Sequence, residues 1–132
     1  MFSSHSGHLT TGVEGERLAK IYAEHLGWKI IGENVRLGHK EIDLIAKDKK
    51  TIVFLEVKTR RGDEFGTPEE SVTKKKLHRL DAAIALYLRD HPEIKNIRLD
   101  VIAITYPLSG HAKPKLKHIK GAAGKNPLVP LS

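Results

Sequence analysis

A chain of 132 residues, 39% hydrophobic and 30% charged, is sized for one domain with a modest core, which excludes a disordered polypeptide. It contains no cysteine, so disulfides, thiolate metal sites and a cysteine nucleophile are excluded. With 23 basic residues against 16 acidic ones, the net charge of +7 favours a polyanionic partner such as nucleic acid or an acidic membrane surface, although a soluble protein that is merely basic carries as much.

Residues 1–10, rich in Ser, Gly and His, read as a flexible leader to a domain spanning 11–107. No apolar run approaches the ~18 residues of a membrane span, and Met1 to Gly12 lacks the apolar stretch of a signal peptide, so no membrane partner and a cytoplasmic location are expected. Thr11 and Glu14 form a capping box that opens a first helix, with Leu18, Ile21, Tyr22 and Leu26 as its apolar stripe and Gly27 as its stop. Strands are expected at Trp28 to Leu37, Glu41 to Ala46 and Thr51 to Thr59, the last two joined as a hairpin by the polar turn Lys47 to Lys50. After a charged loop from Arg60 to Gly66, Thr67-Pro68-Glu69-Glu70 carries a second capping signature. The helix expected from Thr73 to Asp90 turns Leu77, Leu80, Ile84, Tyr87 and Leu88 to the core, and Pro92 closes it. A fourth strand is expected from Ile97 to Ile104. Residues 108–132, rich in Lys, Gly and Pro, read as a basic, flexible tail. The order α-β-β-β-α-β implies an α/β fold with a mixed central sheet flanked by helices. Ile52, Val53, Phe54, Leu55 and Val57 leave neither face of the third strand polar, as suits a strand covered on both sides.

Two charges interrupt that buried run. Glu56 and Lys58 lie two residues apart and project from one face, and Asp43 interrupts the neighbouring strand between Ile42 and Leu44. A hairpin turning at Lys49 and Lys50 sets Asp43 opposite or almost opposite Glu56. Burying two close carboxylates costs several kcal/mol unless something offsets it. A hard divalent cation does so and keeps waters for a phosphate substrate. An acid-x-Lys triplet occurs three times, at Asp48-Lys49-Lys50, Glu56-Val57-Lys58 and Glu93-Ile94-Lys95, but only the second lies inside an apolar strand. The competing reading is an internal salt bridge of Lys58 with both acids, which leaves one negative charge over.

Other charges are less specific. Arg60 and Arg61 leave the third strand, and Lys74, Lys75 and Lys76 start the second helix, where three cations oppose the helix dipole and an anion would relieve them. Read functionally they are a phosphate-binding rim; read plainly they are a solvated charged face. The eight histidines form no zinc pattern and read as surface residues. No Gly-rich phosphate loop follows a strand, and with 5% aromatics a base-stacking single-strand platform is not expected.

Glu41-Ile42-Asp43-Leu44-Ile45-Ala46 and Phe54-Leu55-Glu56-Val57-Lys58-Thr59-Arg60 together resemble the YraN (UPF0102) family. Gly15-Glu16, Phe65-Gly66-Thr67-Pro68, Lys76 with Arg79-Leu80, and Leu99-Asp100-Val101 extend the likeness over residues 12–104. One departure is Lys40, where that family has Gly before Glu-Ile-Asp. The family is similar to the restriction-endonuclease-like, or PD-(D/E)XK, superfamily and to archaeal Holliday junction resolvases. The resemblance implies the restriction-endonuclease-like α-β-β-β-α-β core and Mg²⁺-dependent phosphodiester hydrolysis, with Mn²⁺ as a substitute. Asp43 and Glu56 are then metal ligands and Lys58 the water-positioning base, while Glu16 on the first helix is the further catalytic acid of resolvase-like proteins. Glu16 also has a plain reading, an acid favoured near a helix N-terminus.

The expected function is therefore a metal-dependent endonuclease acting on branched or distorted DNA. Its alternative is a noncatalytic nucleic-acid-binding module on the same fold. Resolvase-like proteins act as dimers, which admits a homodimer here, but no sequence feature fixes a dimer face.

Overall fold

The apolar run Ile52 to Leu55 is the spine of a five-stranded mixed sheet. A computed structural model describes residues 7–62, 74–108 and 113–121, with side chains from 12–62, 80–108 and 113–121. The elements are α1 (Gly7–His25), β1 (Lys29–Leu37), β2 (Lys40–Asp48), β3 (Thr51–Arg61), α2 (Lys74–Arg89), β4 (Asn96–Tyr106) and β5 (Lys115–Ile119). Strand order follows chain order, and every neighbouring pair is antiparallel except β3 and β4. Parallel neighbours cannot be joined by a tight turn, so the connection that carries α2 is a topological necessity. The expected α-β-β-β-α-β order is present, with one strand added.

Each face of the sheet carries its own core. Ala19 and Ala23 of α1 pack with Trp28, Leu44, Val53, Leu55, Ile102 and Ile104 on one side. Leu80, Ala83 and Ile84 of α2 pack with Ile42, Ile45, Ile52, Phe54, Ile97 and Leu99 on the other. Alternate residues of β3 serve the two cores, and Ile52, Val53, Phe54 and Leu55 are all buried. A central strand of this kind has no polar face to give up, which is why charged residues further along it demand an explanation.

The first helix departs from expectation. It starts at Gly7, so Thr11 lies within it rather than at its cap, and Glu14 instead pairs with Arg17 at 2.8 Å. Its buried positions are Gly15, Ala19 and Ala23, whereas Ile21 and Leu26 are 48% and 44% exposed. A Cβ added at Gly15 would collide with the methyl of Thr59 on β3. The helix lies so close to the sheet that small residues make the contact and the large ones of the expected stripe flank it.

The stretch read as a tail supplies β5, which pairs with β4 from Val101 opposite Ile119 to Thr105 opposite Lys115. His118, read as a surface residue, is 13% exposed at its side chain and bonds Asp100 through Nε2 at 2.8 Å. An edge strand buries one face at most, and lysines on its open side guard the edge, so its composition mimics that of a solvated tail. The capping signature at Thr67 to Glu70 lies outside the described residues. Among the described residues, no helix is long and apolar enough to cross a membrane.

Candidate functional site

β2 and β3 pair only from Asp48 opposite Thr51 to Leu44 opposite Leu55. The next step of the same register sets Asp43 against Glu56, as the sequence anticipates, but there the ladder stops. β2 continues toward Lys40 paired only with β1, and β3 continues to Arg61 paired only with β4. The sheet therefore splits between two strands that diverge, and the polar residues sit at the split.

The Val57 amide, left without a strand partner on this side, donates to Asp43 Oδ2 at 2.8 Å. Lys58 Nζ lies 3.1 Å from Glu56 Oε2, with the two side chains 35% and 20% exposed. Lys58 is thus paired with one acid and open to solvent, not locked between both. Alternation along β3 sets Glu56 and Lys58 on the same side as Phe54, toward α2.

Burial raises the Asp43 carboxyl from its ordinary 3.8 to about 7. The Val57 hydrogen bond opposes that rise; the neighbouring charges of Glu56 and Glu16 and a hydrogen bond with the Glu56 carboxyl add to it. Glu16 is raised in turn by burial, by Glu41, and by Glu33 and Glu56, against a hydrogen bond from Asn34. α1 thus delivers Glu16 into the electrostatic field of the split, where Gly15 permits the close approach to Thr59. A Lys20–Glu33 ion pair of 2.8 Å ties the same helix to β1. The structure brings Asp43, Glu56 and Lys58 together at the split, with Glu16 of α1 within electrostatic reach of Asp43 and Glu56.

The remaining expected residues divide. Arg60 is half-buried and Arg61 exposed at the end of β3, opposite Thr105 and Tyr106. Lys74, Lys75 and Lys76 form the first turn of α2, and their side chains lie outside the described residues. The sequence reading missed Asn34, whose left-handed backbone (φ 50°) turns β1 beside Glu16; its only signal is an Asn after Gly32-Glu33 inside a strand.

It also missed a second polar cluster. Asp100, fully buried on β4, accepts hydrogen bonds from Arg98 Nε at 2.9 Å, His118 Nε2 at 2.8 Å and the Gly121 amide at 2.8 Å. His118 Nδ1 meets the Tyr22 hydroxyl at 3.0 Å, and the Arg98 guanidinium lies 5.3 Å from the Trp28 ring centre. Burial by itself would raise the Asp100 carboxyl, but the bonds from His118, Arg98 and Gly121 outweigh it and hold it below the ordinary 3.8. Both oxygens of Asp100 are satisfied within the protein, and the cluster links β4 to β5 directly and to α1 through the Tyr22–His118 contact.

The split differs chemically. Burial and the charge of Glu56 together push the Asp43 carboxyl up, so a proton or a cation there relieves the pair. Among the described residues, no three carboxylate or imidazole side chains gather closely enough to hold a metal ion by themselves. A cation bound by Asp43 and Glu56 would complete its shell with water or substrate, as Mg²⁺ commonly does.

Comparison with known proteins gives a consistent family. A UPF0102 protein of Geobacter sulfurreducens is 46% identical over 112 residues, 84% of this chain and 86% of that one. Another, from Syntrophomonas wolfei, is 41% identical over 112 residues, 84% and 95% of the two chains. Among solved structures, SfsA of Pyrococcus furiosus in complex with Ca²⁺ aligns with a TM-score of 0.33 at 16% identity. That alignment covers 86% of this chain and 63% of the other, too slight a likeness to bear on function. Residues 15–104, which hold every residue of the split, match the model described as "Uncharacterised protein family UPF0102", and the chain belongs to that family.

Proposed function

We propose that the chain is a metal-dependent endonuclease that hydrolyses phosphodiester bonds in branched or distorted DNA. The observation that carries this reading is the Asp43–Glu56 carboxyl pair at the point where β2 and β3 part, with Lys58 beside it and open to solvent. Asp43 and Glu56 are the hard oxygen donors that Mg²⁺ or Mn²⁺ takes. Such an ion, when bound, polarises a phosphodiester and acidifies a water. The Val57 amide fixes the Asp43 carboxylate through Oδ2. Lys58 Nζ orients an attacking water and offsets negative charge developing on the phosphate. Glu16, carried in by α1, is a further acid for proton handling. The net charge of +7 supports a polyanionic substrate.

The test compares wild type with Glu56→Ala on branched, single-stranded and duplex DNA with Mg²⁺ or Mn²⁺. Cleavage by wild type that is lost in the variant supports the reading; cleavage unchanged in the variant assigns the activity elsewhere. The second reading, a noncatalytic nucleic-acid-binding module, is favoured by the ion pair that engages Glu56 with Lys58. It requires salt-dependent DNA binding that survives Asp43→Ala, with no cleavage under any metal.

A further inference from the structure

At the opposite end of β3 lies a cleft of a different character. Ile52 stands four residues before Glu56, or about 13 Å along an extended strand. Around it the β2–β3 hairpin, the start of β1 and the segment from α2 to β4 enclose a cleft of about 570 Å³. Five exposed lysines line it, Lys29, Lys47, Lys49, Lys50 and Lys95, against one acid, Glu93. Among the described residues, none of the five makes an ion pair.

Two features separate this cleft from a solvated charged face. Tyr87 and His91 stack at 4.1 Å between ring centres and 16° between planes. The His91 ring is fixed there because Nδ1 donates to the Tyr87 carbonyl at 2.8 Å, while Tyr87 rests edge-on against Phe54. The result is a rigid aromatic shelf, set before any ligand arrives. Lys49 supplies the second feature. It takes a left-handed backbone (φ 57°) in the two-residue turn closed by Asp48 and Thr51. Gly or Asn adopts that conformation readily in such a turn, whereas Lys is disfavoured by about 1 kcal/mol. The turn thus presents a cation at its tip from a disfavoured backbone conformation.

We infer that this cleft binds an unpaired nucleic-acid strand, its phosphates on the five lysines and one base on the Tyr87–His91 shelf. Lysines alone would suit any polyanion, but a fixed aromatic face rewards an exposed base. The scarcity of aromatics argues against a long stacking platform, and one pair serves a single base. This deepens the nucleic-acid reading of the split by adding a contact remote from it.

The experiment measures anisotropy of a fluorescein-labelled oligothymidylate of about 15 nucleotides, and of a blunt duplex of equal length, from ~50 to ~200 mM salt. The first variant is Lys49→Asn with Lys50→Gln, chosen because Asn relieves the turn. It should melt no lower than wild type, bind the single strand on the order of tenfold more weakly, and show a salt slope shallower by about 1.4, two contacts at ~0.7 each. His91→Ala should weaken single-strand binding about fivefold or more and leave duplex binding unchanged. Wild type should bind the oligothymidylate equally well in EDTA, where no metal-dependent cleavage can occur, so failure of the nuclease reading leaves this one standing. Wild-type affinity and slope in the lysine variant would overturn the inference even if cleavage were robust. Binding to phosphatidylcholine vesicles doped with phosphatidylglycerol, lost in the lysine variant while the oligothymidylate goes unbound, would overturn it in favour of a lipid surface.

Discussion

Asp43 Oδ2 accepts the Val57 amide at 2.8 Å, the hydrogen bond by which a side chain of β2 replaces the backbone partner that β3 loses where the two strands part. A carboxylate that accepts an amide is ordinarily held acidic. Here burial and the adjacent Glu56 prevail, and the group rises to about 7. The fold therefore holds Asp43 in a place where, near neutral pH, it needs either a proton or a cation.

The first consequence is a pH-dependent stability. The folded pKa of about 7 lies above the ordinary 3.8, so the folded protein binds the proton more tightly than the unfolded chain. Stability contributed by this group is greatest below about pH 4, falls as pH rises toward 7, and is level above that. Asp43→Asn keeps an oxygen acceptor for Val57 and removes the charge. It should melt above wild type at pH 8 by roughly 3–8 °C, the shift that about 1–2 kcal/mol produces in a chain of this size. Thermal denaturation from pH 4 to 8 should show the two curves converging at the acidic end. A constant difference would place its origin outside the titration of Asp43.

A divalent cation should do for the charged pair what the proton does. Mg²⁺ or Mn²⁺ that binds only the folded form raises the melting temperature, by about 2.7 kcal/mol of stability at a hundred times its dissociation constant. Protons compete for Asp43, so the rise should be larger at pH 8 than at pH 5.5. It should vanish in both Asp43→Asn and Glu56→Gln. Equal stabilisation of wild type and both variants would locate the cation elsewhere on the molecule.

What could be read from the sequence follows from burial. Glu56 and Lys58 stand out because β3 is apolar on both faces, so any charge on it violates a strong rule, and the hairpin length fixes Asp43 as their neighbour. α1 is hard to read for the converse reason. Its contact with the sheet is made by Gly15, Ala19 and Ala23, residues that carry little hydrophobic signal because the backbones approach so closely. β5 carries little signal because an edge strand needs only one buried side. The anchor of that side, His118, is recognisable only once Asp100, 18 residues away, is known to face it.

The Gly15 contact makes a separate prediction. A methyl group there collides with Thr59 Cγ2, and a β-branched residue in a paired strand has little freedom to turn aside. Gly15→Ala should cost about 1–3 kcal/mol, as overpacking does, despite the better helix propensity of Ala. Thr59→Ser deletes the obstructing methyl, so the double variant should recover most of the loss. Chemical denaturation of the single and double variants measures the coupling. Equal loss in both would show that α1 yields rather than Thr59.

Asp100 gives the opposite pH signature to Asp43. Its carboxyl is held below the ordinary 3.8 despite burial, because His118, Arg98 and the Gly121 amide all donate to it. Stability from this group is fully present above about pH 4 and is lost as pH falls through the depressed folded value. Asp100→Ala leaves three half-buried donors without that acceptor, although Arg98 keeps Asp48 at 3.6 Å, and should cost about 1–3 kcal/mol. The loss should be local before it is global. Two of the three donors lie on β5 or just after it, so Lys115–Ile119 should lose amide-exchange protection while the β2–β3 hairpin keeps its own. Asp100→Asn, which retains an acceptor but no charge, should fall between the two and be insensitive to acid below pH 4. If β5 exchanged slowly in Asp100→Ala, the strand would be held by its ladder with β4 alone and the cluster would contribute nothing to its docking.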